Sequence, residues 1–336
     1  MNPLHKILIE KNSSCKAIWF MRQAGRYLPE FREIRSQNQD FVKLCLDSDL
    51  SSKITLQPVK RFDVDSAIIF SDILMVPYAL GQEIKFIKDR GPELSDFKIE
   101  KFQDNNEIDF RKRLNPIYKA IEKTRKALDN KKSLISFIGA PWTLMVYMLG
   151  LKKNKNKLNF NQLIKEKSKI ELIKNKLIKY LCIHLENQIN AGADVVQIFD
   201  SWAGLIPSDN ISEYCFIPNA KIIEFCKYKK IPNICFPKGL RKNYEIFNKL
   251  VKPDGLNIDY ELEAQWAKKH LKNVVLQGGL DPKFLLKSEK EMLNEASKYI
   301  KIFKDIPYIF NLGHGLLPET EPDKVSKLIK FYRDHK

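Results

Sequence analysis

Arginine is scarce in this chain and unevenly placed. Of 336 residues, 58 are basic, and only eleven of these are arginines. Four of the eleven, Arg22, Arg26, Arg32 and Arg35, fall within fourteen residues. A chain that otherwise favours lysine uses arginine where a planar fork is needed to grip a carboxylate or phosphate through two hydrogen bonds. Glu30 and Glu33 stand among the four, so some of these arginines could serve internal ion pairs instead. Asp72 is the second unusual residue. It ends the apolar run Ala67-Ile68-Ile69-Phe70-Ser71 and reads either as a catalytic or binding carboxylate or as a partner for the arginines.

Other polar residues follow apolar runs in the same way. Tyr147 lies just beyond Gly139-Ala140-Pro141-Trp142-Thr143, Ser201 follows Phe199-Asp200, and His314 sits between Gly313 and Gly315. Ser201 and His314 invite comparison with a hydrolytic triad, but no Gly-x-Ser-x-Gly elbow surrounds the serine, which favours hydrogen-bonding roles. The glycines beside His314 permit close backbone approach to a ligand. A phosphate nest at Gly278-Gly279 and Gly313–Gly315 is an alternative. Trp142 and Trp202 could wall an aromatic ligand, with core packing as the default reading.

These residues need a scaffold that brings separate strand ends together. Short apolar runs at Ile18–Met21, Ala67–Ser71, Leu134–Ile138, Val195–Phe199, Asn233–Phe236, Gly255–Ile258, Val274–Gln277 and Tyr308–Leu312 read as strands buried on both faces. Helical patterns fit Phe31–Leu46, Phe160–Ala191, Ser212–Tyr228, Tyr244–Leu250, Glu261–His270, Glu289–Phe303 and Pro322–Tyr332. Eight buried strands alternating with helices predict a single (β/α)8 barrel over residues 1–336, with active residues at the carboxyl ends of the strands. A hairpin-like insertion is expected near 82–93. Two doubly wound halves are the runner-up, but no repeat or Gly/Ser linker separates such halves.

Composition narrows the function classes. At 44% hydrophobic and 29% charged residues the chain can bury a large core and is not disordered. A net charge of +17 reads as drift towards lysine in the composition or as attraction to a polyanionic partner, nucleic acid or an acidic small molecule, and composition does not choose between the two. Nucleic acid would call for a basic patch interleaved with aromatics. The densest basic run, 152–157, has none and reads as a solvated loop. Six scattered cysteines with no Cys-x-x-Cys pair fit a reducing compartment, and the Cys182-x-His184 pair is a poor zinc site inside a helical pattern. The uncharged stretch Ser133–Leu151 is interrupted by Gly139-Ala140-Pro141 and reads as a strand and a buried helix start rather than a membrane span. No secretory signal is apparent at the N-terminus.

The segment Ile18-Trp19-Phe20-Met21-Arg22-Gln23-Ala24-Gly25-Arg26-Tyr27-Leu28-Pro29-Glu30-Phe31-Arg32 resembles the N-terminal signature of the uroporphyrinogen decarboxylase family. Gly139-Ala140-Pro141-Trp142-Thr143-Leu144 with Tyr147-Met148 resembles its second signature. Ile69–Leu74, Phe199–Gly204, Leu276–Pro282 and Asn311–Gly315 resemble further family blocks, in family order. Ala17, Ser136, Leu149, Gly279 and the segment Asn257–Tyr260 depart from the usual pattern. The resemblance implies a single barrel and a cytoplasmic homodimer that uses neither metal nor organic cofactor. It also implies decarboxylation of the four acetate side chains of uroporphyrinogen III, giving coproporphyrinogen III. Matching the motifs residue by residue makes Asp72 and Arg22 the catalytic candidates. Arg22, Arg26, Arg35, Asp72, Tyr147, Phe199, Ser201 and His314 become the substrate-binding set. A zinc-dependent corrinoid methyltransferase of the same superfamily is the alternative, but such enzymes need a thiolate and imidazole cluster, and the sequence has no His-x-Cys.

Overall fold

The computed structural model describes residues 3–87, 91–154, 157–160 and 166–335. Eight parallel strands form the central sheet: β1 (Ala17–Ile18), β2 (Ser66–Ile68), β3 (Ser133–Gly139), β4 (Val195–Asp200), β5 (Asn233–Pro237), β6 (Gly255–Ile258), β7 (Val275–Gly278) and β8 (Tyr308–Phe310). Their spatial order is β1-β8-β7-β6-β5-β4-β3-β2, with helices between consecutive strands. This is the expected (β/α)8 barrel, nearly closed.

The seam between β1 and β2 is closed mainly by side chains. One backbone bond crosses it, from Asp65 N–H to the Ile18 carbonyl at 2.9 Å. The Asp65 carboxylate accepts the Ile18 N–H at 2.7 Å and is itself held by Arg333 at 2.9 Å. Gln23, fully buried, supplies the other link. Its Oε1 accepts the Phe20 N–H at 3.0 Å, and its Nε2 donates to the Ser66 carbonyl at 2.8 Å. Strands β1 and β2 are therefore shorter than the apolar runs that mark them, because side-chain amide and carboxylate groups replace part of the ladder.

Alternation along the strands fills the interior in tiers. Ala17, Ile135, Val195, Ile234, Val275 and Ile309 pack with Leu4, Ile7 and Leu8 of the N-terminal helix Pro3–Glu10, which closes the lower end. Above them runs a buried polar chain. Trp19 Nε1 donates to Gln277 Oε1 at 2.9 Å, and Gln277 Nε2 donates to Asn257 Oδ1 at 2.8 Å and Gln197 Oε1 at 3.2 Å. These bonds tie the end of β1 to β4, β6 and β7 beneath the active end, with Gln197 Nε2 left unpartnered.

Several boundaries differ from expectation for identifiable reasons. The predicted helix Phe31–Leu46 is two helices, Pro29–Gln37 and Phe41–Cys45, because Asp40 caps the second by accepting the Lys43 N–H at 3.1 Å. The helix expected from Phe160 is described over Lys167–Asn190, and 161–165 lie outside the described residues. Ser212–Tyr228 begins as a wide π turn, Ser212–Phe216, where Pro218 offers no N–H to a regular ladder. Two long helices, Ser48–Arg61 and Glu107–Ala127, lie outside the expected set. An antiparallel hairpin pairs Ile84–Ile87 with Gly91–Leu94. The basic run expected as a solvated loop instead enters a short ribbon, Lys152–Asn154 with Lys157–Leu158, and Lys152 Nζ lies 5.3 Å from the centre of the Trp202 ring. No helix among the described residues is long and apolar enough to cross a membrane.

Replacing Gln23 by Leu strands the Phe20 N–H and the Ser66 carbonyl in a dry seam. We expect a loss of about 2–4 kcal/mol in urea denaturation. A loss below ~1 kcal/mol would show that the seam does not rely on this amide.

Candidate functional site

The carboxyl ends of the strands gather the candidate residues at one mouth. Arg22 follows β1 with a left-handed backbone, φ 60°, a conformation that non-glycine residues seldom adopt. Its neighbours hold it there: Gln23 N–H reaches the Phe20 carbonyl at 3.1 Å, and Leu316 N–H reaches the Met21 carbonyl at 2.9 Å. The Arg22 side chain lies across Gly315, where an added Cβ would come within 2.4 Å of Arg22 Cδ. Gly313 allows an even closer crossing, since a Cβ there would stand 2.3 Å from the Tyr260 nitrogen. Gly278 and Gly279 are tightly packed on Asn257 and Tyr299, and their carbonyls accept from Tyr308 and Tyr299. These glycines let chain pass chain.

The arginine cluster divides by function. Glu30 pairs with Arg61, not with any of the four, through bonds of 2.8 and 2.9 Å. Arg32 donates to the carbonyls of Arg26 and Tyr27, both at 3.0 Å, and clasps its own loop. Arg35 bonds the Asn38 carbonyl and stacks on Phe41 at 5.8 Å; no hydrogen bond or ion pair joins it to Asp72 or Arg22. Arg22 and Arg26 remain, without a carboxylate within 4.0 Å among the described residues.

Asp72 lies on the same side, half-buried after β2. Its Oδ1 accepts the Leu74 N–H at 2.9 Å, and no arginine pairs with it directly. Burial pushes its carboxyl up to about 6, against the opposing pull of the Leu74 N–H and the Arg22 charge. Burial among its protein neighbours, followed by the charge of Arg26, lowers Arg22, while Asp72 and Tyr147 act the other way. Behind Asp72 is a void of about 10 Å³ lined by Ser71, His184 and Gln188. His184 is held neutral by burial, which drives it down to about 3, and its Nδ1 meets the Tyr118 hydroxyl at 3.0 Å. Cys182 does not share that environment, being two residues away on a helix and so on another face. The net arrangement is one carboxylate and two guanidiniums following the carboxyl ends of β1 and β2 at the same mouth, coupled through space and not neutralised by contact.

The remaining candidates wall this cleft. Tyr147, whose phenol burial keeps protonated, meets the Trp202 ring edge-on at 6.0 Å. Asp72 and Arg22 both act on its titration, which places it in their neighbourhood. Phe199 stands between Phe137 at 5.7 Å and Phe236 at 6.5 Å, forming an apolar strip across β3, β4 and β5. Ser201 is half-buried at the end of β4. His314 is lowered to about 3 by burial, then by the charges of Lys238 and Arg22, so it is a neutral imidazole at pH 7. Trp142 is core, packed on Phe160 and Tyr214, whereas Trp202 contributes to the wall. Asp200 is a structural pin, taking bonds from Thr143 at 2.7 Å and Asn219 at 3.1 Å. Two residues absent from the expected set join the cleft. Phe137 was signalled by its alternation with Ile135, and Lys238 by its place directly after β5. A larger cavity of about 240 Å³ lies beneath the hairpin, lined by Gln82, Phe97 and Lys98 among others, and none of the candidates reaches it.

The uroporphyrinogen decarboxylase (URO-D) family profile matches residues 3–335. The chain belongs to that family. A uroporphyrinogen decarboxylase of Orientia tsutsugamushi (strain Ikeda) is 42% identical over 342 residues, covering 99% of both chains. One of Rickettsia felis is 39% identical over 339 residues, covering 99% of this chain and 96% of the relative. Among solved structures, a methyltransferase from Methanosarcina mazei superposes with a TM-score of 0.76 over 90% of each chain at 17% identity. A B12-independent methionine synthase from Shewanella sp. W3-18-1 gives 0.55 at 11% identity, over 85% of this chain and 86% of its own. At such identities the two share the barrel alone. The donor set at the mouth of this family member is carboxylate, hydroxyl and imidazole. Cys45, Cys215, Cys226 and Cys235 are buried, and among the described residues no three or more histidine, cysteine, aspartate or glutamate side chains gather as a metal site, so the methyltransferase alternative finds no thiolate and imidazole cluster there.

Gly315→Ala tests how this family member holds Arg22. The added methyl meets the stem of the side chain, Cγ at 2.7 Å and Cδ at 2.4 Å, so stability should fall by about 1–3 kcal/mol, and a crystal structure should show the guanidinium displaced. An unmoved guanidinium would contradict that packing.

Proposed function

We propose that this chain removes the four acetate carboxyls of uroporphyrinogen III and yields coproporphyrinogen III. Family membership supports the substrate. The observation that carries the reading is an unneutralised carboxylate, Asp72, beside two arginines that lack acidic partners, in one cleft with an aromatic floor.

The chemistry follows from these groups. Loss of carbon dioxide leaves an electron pair that needs a sink. Protonation of a pyrrole ring carbon makes the ring a cation, and the pair from the broken C–C bond flows into it. A proton then completes the methyl group and the ring carbon returns its own, so each carboxyl is replaced by one net proton. Asp72 faces the pyrrole N–H groups and stabilises the cationic intermediate. Its carboxyl, raised to about 6, is still mostly ionised at pH 7 and so carries the counter-charge the cation needs. Arg22 holds a substrate carboxylate next to Asp72, and Arg26 holds another. Arg35, stacked on Phe41, adds charge at the rim. Phe199 packs on the macrocycle, and Tyr147, Ser201 and His314 supply hydrogen bonds. The neutral state of His314 lets it donate or accept without adding charge. The reading needs no cofactor, because the substrate is its own electron sink. The family resemblance also supports a homodimer and a cytoplasmic location.

The test is an anaerobic assay of purified protein with uroporphyrinogen III, followed by chromatography of the oxidised products. Seven-, six-, five- and four-carboxyl porphyrins are expected without added cofactor; folded protein that yields none would overturn the reading. Arg26→Lys should weaken substrate binding although the charge remains, since the bidentate fork is lost; unchanged affinity would make Arg26 structural.

Asp72→Asn should lower turnover by about a hundredfold or more and also stabilise the fold. The carboxyl is raised from 3.8 to about 6 in the folded chain, so at pH 8 its ionisation opposes folding. Removing that charge should gain up to ~3 kcal/mol, less where cleft water screens it. The gain should shrink as pH falls through 6 and vanish below the unfolded value near 4. A variant less stable than the parent at pH 8 would contradict the assignment.

A further inference from the structure

We infer that Lys238 is a third carboxylate-binding residue of this cleft, facing the arginine pair from the opposite wall. The inference rests on the proposed polycarboxylate substrate and extends it to a residue that no motif marks. Lys238 follows Pro237, the last residue of β5, and in an eight-stranded barrel β5 stands across the mouth from β1, which carries Arg22.

The backbone around Lys238 is tied at successive groups. Its N–H donates to the Asp200 carbonyl at 3.1 Å, and its own carbonyl accepts the Gly204 N–H at 2.9 Å. The next N–H, of Gly239, donates to Asp259 Oδ2 at 2.7 Å, and that same oxygen accepts the Tyr244 hydroxyl at 2.9 Å. Gly239 has a φ of 83°, and a Cβ on Gly204 would stand 2.5 Å from the Gly239 oxygen, so the two turns interlock. A turn fixed this firmly sets the direction of the lysine stem.

The ammonium end is then short of an anion. Lys238 is half-buried, and no carboxylate lies within 4.0 Å of it among the described residues. Its Nζ is 6.0 Å from the centre of the Tyr260 ring, a contact that orients a cation without neutralising it. Its charge reaches His314, which places it beside a residue of the binding set. A partly desolvated cation without a partner is unfavourable until a ligand brings one. An ammonium on a flexible stem also suits a substrate that must present different carboxylates in turn, because it acts as a point charge without a fixed fork.

The test uses Lys238→Gln and Lys238→Arg with two readouts. Calorimetric binding of benzenehexacarboxylate, a compact polycarboxylate, reports on the cation itself and needs no turnover. Lys238→Gln should bind it about tenfold more weakly than the parent, and Lys238→Arg within about threefold. In the anaerobic assay Lys238→Gln should raise KM about tenfold with kcat little changed. Equal hexacarboxylate affinity in parent and Gln variant, or no binding to either, would overturn the assignment. A parent that binds the hexacarboxylate through Lys238 but fails to decarboxylate uroporphyrinogen would overturn the proposed function and leave the assignment standing.

Discussion

A carboxylate and two guanidiniums occupy one cleft without neutralising one another, and most of the architecture at the active end serves that separation. Opposite charges on flexible side chains close to contact where nothing prevents them. Asp72 is held by the Leu74 N–H after β2, and Arg22 is turned away through a left-handed backbone after β1 and laid over Gly315. Both positions depend on how the barrel closes between those two strands. The closure is made by Gln23 and Asp65 rather than by a full ladder. Gln23 thus links the placement of the arginines to the integrity of the barrel.

Such a site is unfavourable on its own. A left-handed non-glycine residue costs on the order of 1–3 kcal/mol, and a charged, half-buried carboxylate adds to that. The rest of the fold offsets both. The N-terminal helix closes the lower end, the buried Trp19–Gln277–Asn257 chain ties strands together beneath the cleft, and Asp200 and Asp259 pin the loops after β4 and β5. Carboxylates therefore do two kinds of work in this barrel. Asp200 and Asp259 are saturated with hydrogen bonds and fix geometry, whereas Asp72 accepts only one backbone bond and keeps capacity for a ligand.

Much of this was legible in the sequence because the residue types were out of place. Arginine in a lysine-rich chain marked Arg22 and Arg26, and an aspartate at the end of an apolar run marked Asp72. The eight apolar runs marked the barrel. What remained hidden was hidden for physical reasons. The pairing of Glu30 with Arg61 spans 31 positions and freed Arg26 from its nearest acidic neighbour, which only tertiary structure decides. Gln23 sits inside the arginine motif but acts on the scaffold. Lys238 carried no compositional signal, because lysine is everywhere in this chain. The helix Glu107–Ala127 carried a clear period in Phe110, Leu114, Ile117 and Ile121, interrupted by Pro116.

Asp72 is ionised yet unpaired in the free protein, and its titration tests this directly. Carbon-detected NMR of protein with ¹³C-labelled aspartate, compared with Asp72→Asn to assign the signal, would follow the carboxyl through pH. An unpaired, half-buried carboxylate should titrate near 6, well above the ordinary value of about 3.8. A midpoint at or below the ordinary value would mean that Asp72 is already ion-paired with Arg22 or Arg26, and would contradict a cleft whose charges stay apart until substrate arrives.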